Sequence, residues 1–212
     1  MGWWQELRRR GAVDPGKLIH GAGDWLPEAE TPPELRIAPL VHPLRYDIVV
    51  RMRLFEAYAA DRDRFRRDPA AFVERARGHD YRVWFERVML VRRAEFVARH
   101  AGTTESIFAE TVRGAAALYE SIAETGFDPK QPVVLFTGRR ILPADSGAVS
   151  AERYFPGDGC HRLACLMALG CTTLPRDRYR LKRFDRLQPL DNTRLLRDHL
   201  DLDWPASVMP GA

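Results

Sequence analysis

Asp158-Gly159-Cys160-His161-Arg162-Leu163-Ala164-Cys165 sets a small, flexible turn directly before a histidine and an arginine, and those two open an apolar helix. Gly159 frees the backbone for a conformation that other residues avoid and lets a ligand approach closely. His161 and Arg162 fall in the first helical positions, where the helix dipole favours negative charge. Arg162 can fork two N–H groups onto phosphate oxygens and His161 can donate to another, so the stretch is a phosphate site in outline. Asp158, acceptor-only when ionised, can take a proton from a substrate hydroxyl or bind a metal ion. The same residues also fit a plainer arrangement, with Asp158 as helix cap and His161 and Arg162 on the surface.

The flanks of this motif read as a compact α+β unit. Upstream, Pro132 to Thr137 is a short apolar strand. Gly138 to Leu142 and Arg153 to Phe155 form two more, separated by a small-residue loop from Ala144 to Ser150. The motif helix runs from His161 to Leu169 and stops at Gly170. Tyr179 to Phe184 alternates as a further strand, and Asp191 or Asn192 caps a last helix through Leu200.

Further upstream the texture is helical. One helix spans about 46–66, with Ile48, Met52, Phe55 and Ala59 on one face. Asp68-Pro69 caps and opens a second, which ends near Gly78. A third covers about 81–100, with Trp84, Val88, Val91 and Phe96 facing inward. Gly102 ends it, Thr103 or Thr104 caps a fourth over about 105–125, and Gly126 closes that one. Residues 1–43 are proline-punctuated and irregular, an arm that Trp3, Trp4 and Trp25 pin to the body. The expected fold class is therefore α+β: an arm (1–43), a helical region (44–126) and a compact core (127–212, motif 158–170), the last two forming one globular unit.

Composition narrows the function. The chain has 212 residues, 45% hydrophobic and 29% charged, as in ordinary globular proteins. Its formal charge is +4, and much of the basic charge alternates with acid, as in Asp61-Arg62-Asp63-Arg64. No concentrated basic patch announces a nucleic-acid binder. No apolar run approaches the roughly 20 residues that span a bilayer. Met1-Gly2-Trp3-Trp4-Gln5-Glu6 lacks the pattern of a signal peptide, so a cytoplasmic protein without membrane partners is expected. Cys165 and Cys171 read as buried thiols, whereas Cys160 sits in the glycine turn. No disulfide or zinc framework is readable. His20, His79, His100 and His199 are scattered and read as structural. Arg139-Arg140 reads as a solvated hairpin or, alternatively, as a pair facing phosphate.

Tyr154-Phe155-Pro156-Gly157-Asp158-Gly159-Cys160-His161-Arg162-Leu163-Ala164, continuing to Leu169-Gly170, resembles the signature of the ParB/sulfiredoxin superfamily. The lead-in Glu124-Thr125-Gly126-Phe127 and Gln131-Pro132-Val133-Val134-Leu135 is similar to that family's helix, glycine, proline and apolar strand. The likeness covers roughly residues 115–184. It implies that His161 and Arg162 hold nucleotide phosphates, and it opens three classes. Sulfiredoxins carry Gly-Cys-His-Arg, as at Gly159 to Arg162, and use that cysteine on an ATP-activated sulfinic acid. ParB proteins bind CTP and DNA. A third group are small-molecule kinases with Asp-Gly-x-His-Arg, whose aspartate acts near the substrate hydroxyl.

Three features favour the kinase branch. Asp158 stands where sulfiredoxins usually have a small residue, and their upstream Lys-x-x-Ser element is not recognisable. No helix-turn-helix follows the motif, as a DNA-binding ParB relative would need. The expected activity is an ATP- or ADP-dependent phosphotransferase acting on a hydroxyl of a small metabolite, with Mg2+ bridging the phosphates; the residues holding the metal are not readable. Asp158 and His161 would be catalytic, and Gly159, Cys160, His161 and Arg162 would bind the nucleotide. His42, Arg45, Asp47 and Arg51 are the acceptor-site candidates from the helical region, Asp47 and Arg51 being four apart. An ordinary surface or ion-pair role is the plainer reading of each of the four. The alternatives are sulfiredoxin-like sulfur chemistry at Cys160, and a ParB-like nucleotide-binding or DNA-associated protein without catalysis.

Overall fold

The computed structural model describes residues 23–99 and 102–209. Its centre is strand β3 (Val133–Ile141), paired along its length with β6 (Tyr179–Leu187) in parallel and with β4 (Phe155–Asp158) antiparallel. The short β1 (Asp24–Trp25) adds to the far side of β6, giving the order β1-β6-β3-β4. A parallel pair cannot be closed by a hairpin, and here the crossover is made by β4 and helix α9 (Cys160–Ala168). A second, two-stranded sheet joins β2 (Glu34–Arg36) to β5 (Thr173–Pro175). Segments expected to be irregular arm therefore contribute strands to both sheets. Trp25 is held by strand pairing, with the Arg180 guanidinium 4.3 Å over its ring, and stays 45% exposed. Trp3 and Trp4 lie outside the described residues.

Two strands expected at 132–137 and 138–142 are one. Gly138 does not interrupt β3, because the chain needs its missing side chain for close packing: a Cβ there would sit 2.8 Å from Leu187 Cβ on β6. The hairpin partner is shifted as well. It begins at Phe155 rather than Arg153 and carries Asp158 into register with Val134.

The helical region opens with α1 (Ala38–Val41), and α2 (Tyr46–Ala59) follows. The expected one-sided apolar face of α2 is a correction: Ala59 is exposed, while burial runs round the helix through Ile48, Val49, Val50, Met52, Leu54 and Phe55. α2 is enclosed because α9, α5 (Asp80–Trp84) and α8 (Thr104–Thr125) all pack on it. It ends before Asp61, and α3 (Arg62–Arg67) restarts where one continuous helix was expected. Asp68 caps α4 (Pro69–Arg77) through the N–H groups of Ala70 and Ala71. The side chain of His79 caps α5 by accepting from Tyr81 N–H. A π-helical turn (Phe85–Met89) then leads into α6 (Leu90–Arg92) and, after a break at Arg93, α7 (Ala94–Arg99). The wider turn adds a residue and rotates the following face, so Val91, expected inside, is 59% exposed. Of the other inward positions, Trp84 and Val88 are buried, and the side chain of Phe96 lies outside the described residues. Thr103 caps α8 and Gly126 ends it.

The helix expected over 191–200 is a set of turns. Asp191 does cap its start, accepting from Arg194 N–H. However, the N–H groups of Asn192 and Thr193 both donate to Leu44 O, and Thr193 Oγ1 bridges Pro43 O and Tyr46 N. Those tertiary bonds tie the segment to the entrance of α2. One hydrophobic core runs from α2 and α8 through Leu163, Ala164 and Leu166 of α9 to Val133, Leu135 and Leu181 of the sheet. No helix among the described residues is long and apolar enough to cross a membrane.

Candidate functional site

The strand β4, a one-residue turn and α9 position the motif. Gly159 has φ +78°, a left-handed conformation that any Cβ would strain. It also makes room: a Cβ there would lie 2.8 Å from Arg162 Nη2 and 3.1 Å from Val133 Cα. Arg162 folds back over the glycine and donates from Nη2 to Pro132 O at 3.1 Å, tying the helix start to the entry of β3. Its Nη2 is 3.9 Å from Asp158 Oδ2. Asp158 accepts from Gly159 N–H at 2.7 Å, and its side chain remains 64% exposed.

Beneath the turn lies a buried ionic triad from the start of α2. Asp47 is fully buried and is forked by Arg45, with Nε to Oδ1 at 2.8 Å and Nη2 to Oδ2 at 3.1 Å. Arg51, one turn on, donates from Nη1 to Oδ2 at 2.6 Å. Burial alone would push the Asp47 carboxyl up, but the two guanidinium groups outweigh it and hold the group below the ordinary carboxylate range. Arg45 also reaches across to the motif, donating to Pro156 O and, from Nη2, to Cys160 Sγ at 3.1 Å. Burial works against its charge, while Asp47 and Cys160 raise its pKa.

His161 is half-buried in an aromatic corner built by α5. Its Nε2 is 2.8 Å from the Tyr81 hydroxyl, and its ring meets Trp84 edge-on at 5.3 Å. The Arg51 guanidinium stacks 4.2 Å over the same Trp84 ring. Burial, followed by the positive charges of Arg51 and Arg93, drives the His161 pKa well below its ordinary value; Arg162 adds to this and Asp47 opposes it. Arg93, at the break after α6, keeps an exposed side chain, but the protein packed around it is the largest influence on its charge and lowers its pKa; Asp158 and Cys160 oppose that shift and Arg51 adds to it.

The tertiary structure thus gathers Asp158, Gly159, Cys160, His161 and Arg162 with Arg45, Asp47 and Arg51. His42 is not among them: it meets Trp204 edge-on, ring centroids 4.6 Å apart, and burial lowers its pKa. Arg139 lies exposed on β3, paired with Asp185 of β6. Cys165 is buried, its thiol pushed up to about 12 by burial, whereas Cys171 is only half-buried. His20 and His100 lie outside the described residues. Sequence reading missed Tyr81, Trp84 and Arg93. Trp84 reads only as an inward-facing residue of its helix, and no local pattern singles out Tyr81 or Arg93.

Four arginines (45, 51, 93, 162) face two carboxylates (47, 158), an excess of two positive charges at the N-terminus of α9. The helix dipole adds to it. Among the described residues, Arg51 Nε and Trp84 Nε1 are buried with no hydrogen-bond partner. Both are donors. No group of three or more metal-ligating side chains occurs among the described residues. Asp47 is saturated by its arginines, which leaves Asp158 as the exposed carboxylate of the site. Compared with known proteins, the chain matches no family model, no curated protein and no solved structure.

Proposed function

We propose that this chain binds ATP or ADP through its phosphates and transfers a phosphoryl group to a hydroxyl of a small metabolite. The carrying observation is the surplus of arginines around the α9 N-terminus, with one exposed carboxylate, Asp158, at the edge of the same cluster. Phosphoryl transfer asks for positioning and charge neutralisation rather than covalent help. Arg93 and the α9 N-terminus bind the phosphates. Arg162 and Gly159 hold the turn in shape, and His161 donates to a phosphate oxygen. Asp158 accepts the proton of the acceptor hydroxyl as its oxygen forms the new P–O bond, and the bond to the nucleotide's bridging oxygen breaks. Mg2+, carried in on the phosphates, would supply further neutralisation. The reading makes the chain a cytoplasmic small-molecule kinase of ParB/sulfiredoxin-like core, with a nucleotide and a small-molecule acceptor as its partners and no role for nucleic acid.

A specific contact favours a second reading. Cys160 begins α9 and receives a hydrogen bond from Arg45, which suits ATP-dependent sulfur chemistry at that thiol. Calorimetric titration with ATP, ADP, CTP and GTP, with magnesium, tests the shared premise. Binding of ATP or ADP that Arg93→Ala weakens supports the phosphate site that both readings need, and selective CTP binding would shift the assignment toward the ParB-like class. Failure of the wild-type protein to bind any nucleotide, with or without candidate acceptors, would remove both nucleotide-dependent readings.

A further inference from the structure

We infer that Tyr81 is a positioning residue that locks the His161 ring in the Nδ1–H tautomer, so that His161 serves the site as a hydrogen-bond donor and not as a proton-transfer group. Tyr81 lies on α5, 80 residues from the histidine, and is fully buried. Its hydroxyl has no other hydrogen-bond partner among the described residues. If it accepted from Nε2–H, its own proton would be stranded in the core, which buried hydroxyls avoid. The hydroxyl therefore donates, Nε2 accepts, and the ring proton resides on Nδ1.

The surroundings enforce the same state. Burial pushes the Tyr81 phenol far above its ordinary range, so it remains a donor. His161 faces Arg51 and Asp47 from α2 and Arg93 from the break after α6, with Arg162 on its own helix, and the net effect with burial disfavours the imidazolium. With Nε2 occupied and the charged form disfavoured, the ring cannot shuttle a proton to a phosphate or an acceptor. That leaves Asp158 as the base, and the site's positive charge rests on its guanidinium groups. The assignment of His161 to phosphate binding rests on the proposed function; the tautomer does not.

The test is nitrogen NMR of the full chain carrying isotope-labelled histidine, with the His161 signal identified by its loss in His161→Gln. The expected wild-type result is a neutral ring, protonated at Nδ1, from pH 6 to 8. In Tyr81→Phe the ring should move toward the Nε2–H tautomer or take up a second proton at higher pH, because a bond favouring the neutral acceptor is gone. An unchanged tautomer and titration in Tyr81→Phe would overturn the inference. So would a wild-type ring protonated at Nε2 or charged at pH 7, a readout that stands even if the variant does not fold. A wild-type Nδ1–H ring in a protein that binds no nucleotide would sink the proposed function and leave the tautomer assignment standing.

Discussion

Arg45 and Cys160 stand 115 positions apart in the chain, yet the arginine's Nη2 donates to the cysteine's sulfur at 3.1 Å. The same guanidinium forks the buried Asp47 carboxylate. One side chain thus couples the first turn of α2 to the first residue of α9, and the ionic triad below the site bears directly on the motif above it.

Asp47→Asn should be strongly destabilising. It leaves Arg45 and Arg51 buried without their counter-charge, and breaking a buried pair on one side costs about 3–5 kcal/mol. Urea unfolding at neutral pH measures this. The pH dependence has a definite sign. A carboxylate whose folded pKa lies below its unfolded one contributes its full stability above the unfolded value, about 3.9, and loses it as pH falls further. The Asp47 pKa is lowered on folding, so wild-type stability should fall below about pH 4, and Asp47→Asn should lack that component. Equal acid sensitivity in the two proteins would exclude the triad as its source.

Arg93→Ala separates binding from folding. The side chain is exposed and makes no hydrogen bond from its guanidinium to the described residues, so stability should change by no more than about 0.5 kcal/mol. A charge-assisted contact to phosphate contributes about 1.5–3 kcal/mol, so ATP affinity should drop about ten- to hundredfold. Unaltered affinity would remove Arg93 from the ligand site.

Asp158→Asn and Cys160→Ser divide the two chemistries. The asparagine keeps an oxygen for Gly159 N–H but cannot act as a base, so turnover should fall about 10²–10⁴-fold with binding retained. Cys160→Ser should leave a kinase active and eliminate sulfur chemistry. Steady-state assays of both variants with one acceptor decide which side chain the reaction uses.

Gly159→Ala should cost more stability than Gly126→Ala. Both positions have positive φ, +78° and +81°, so both incur strain of about 1–3 kcal/mol. Only at Gly159 does the added methyl also meet Arg162 and Val133, whereas nothing lies within 4 Å at Gly126. Thermal melting of the two variants compares them directly, and equal losses would mean that the Arg162 side chain swings away freely.

Much of the fold was legible because its signals are local. The Asp68-Pro69 cap, the Thr103 cap, the stop at Gly126, the apolar start of β3 and the glycine turn before α9 each depend on residues within a few positions of one another. Where the reading failed, a distant partner had intervened. Gly138 looks like a break until Leu187 is packed against it. Asp191 begins a turn as its sequence suggests, but the next residues are tied to Pro43, Leu44 and Tyr46, and the segment stays a set of turns.

The site divides the same way. From the order of residues alone came the left-handed glycine, the arginine and histidine at a helix start, and the four-residue spacing of Asp47 and Arg51, because each is set by backbone geometry within one turn. Only the tertiary structure buried that pair with Arg45, turned His42 toward Trp204 instead, and brought Tyr81, Trp84 and Arg93 to the motif. The physical reason is that burying charge requires compensation in three dimensions, and the groups that compensate are chosen by packing across the whole core, which no local period in the chain encodes.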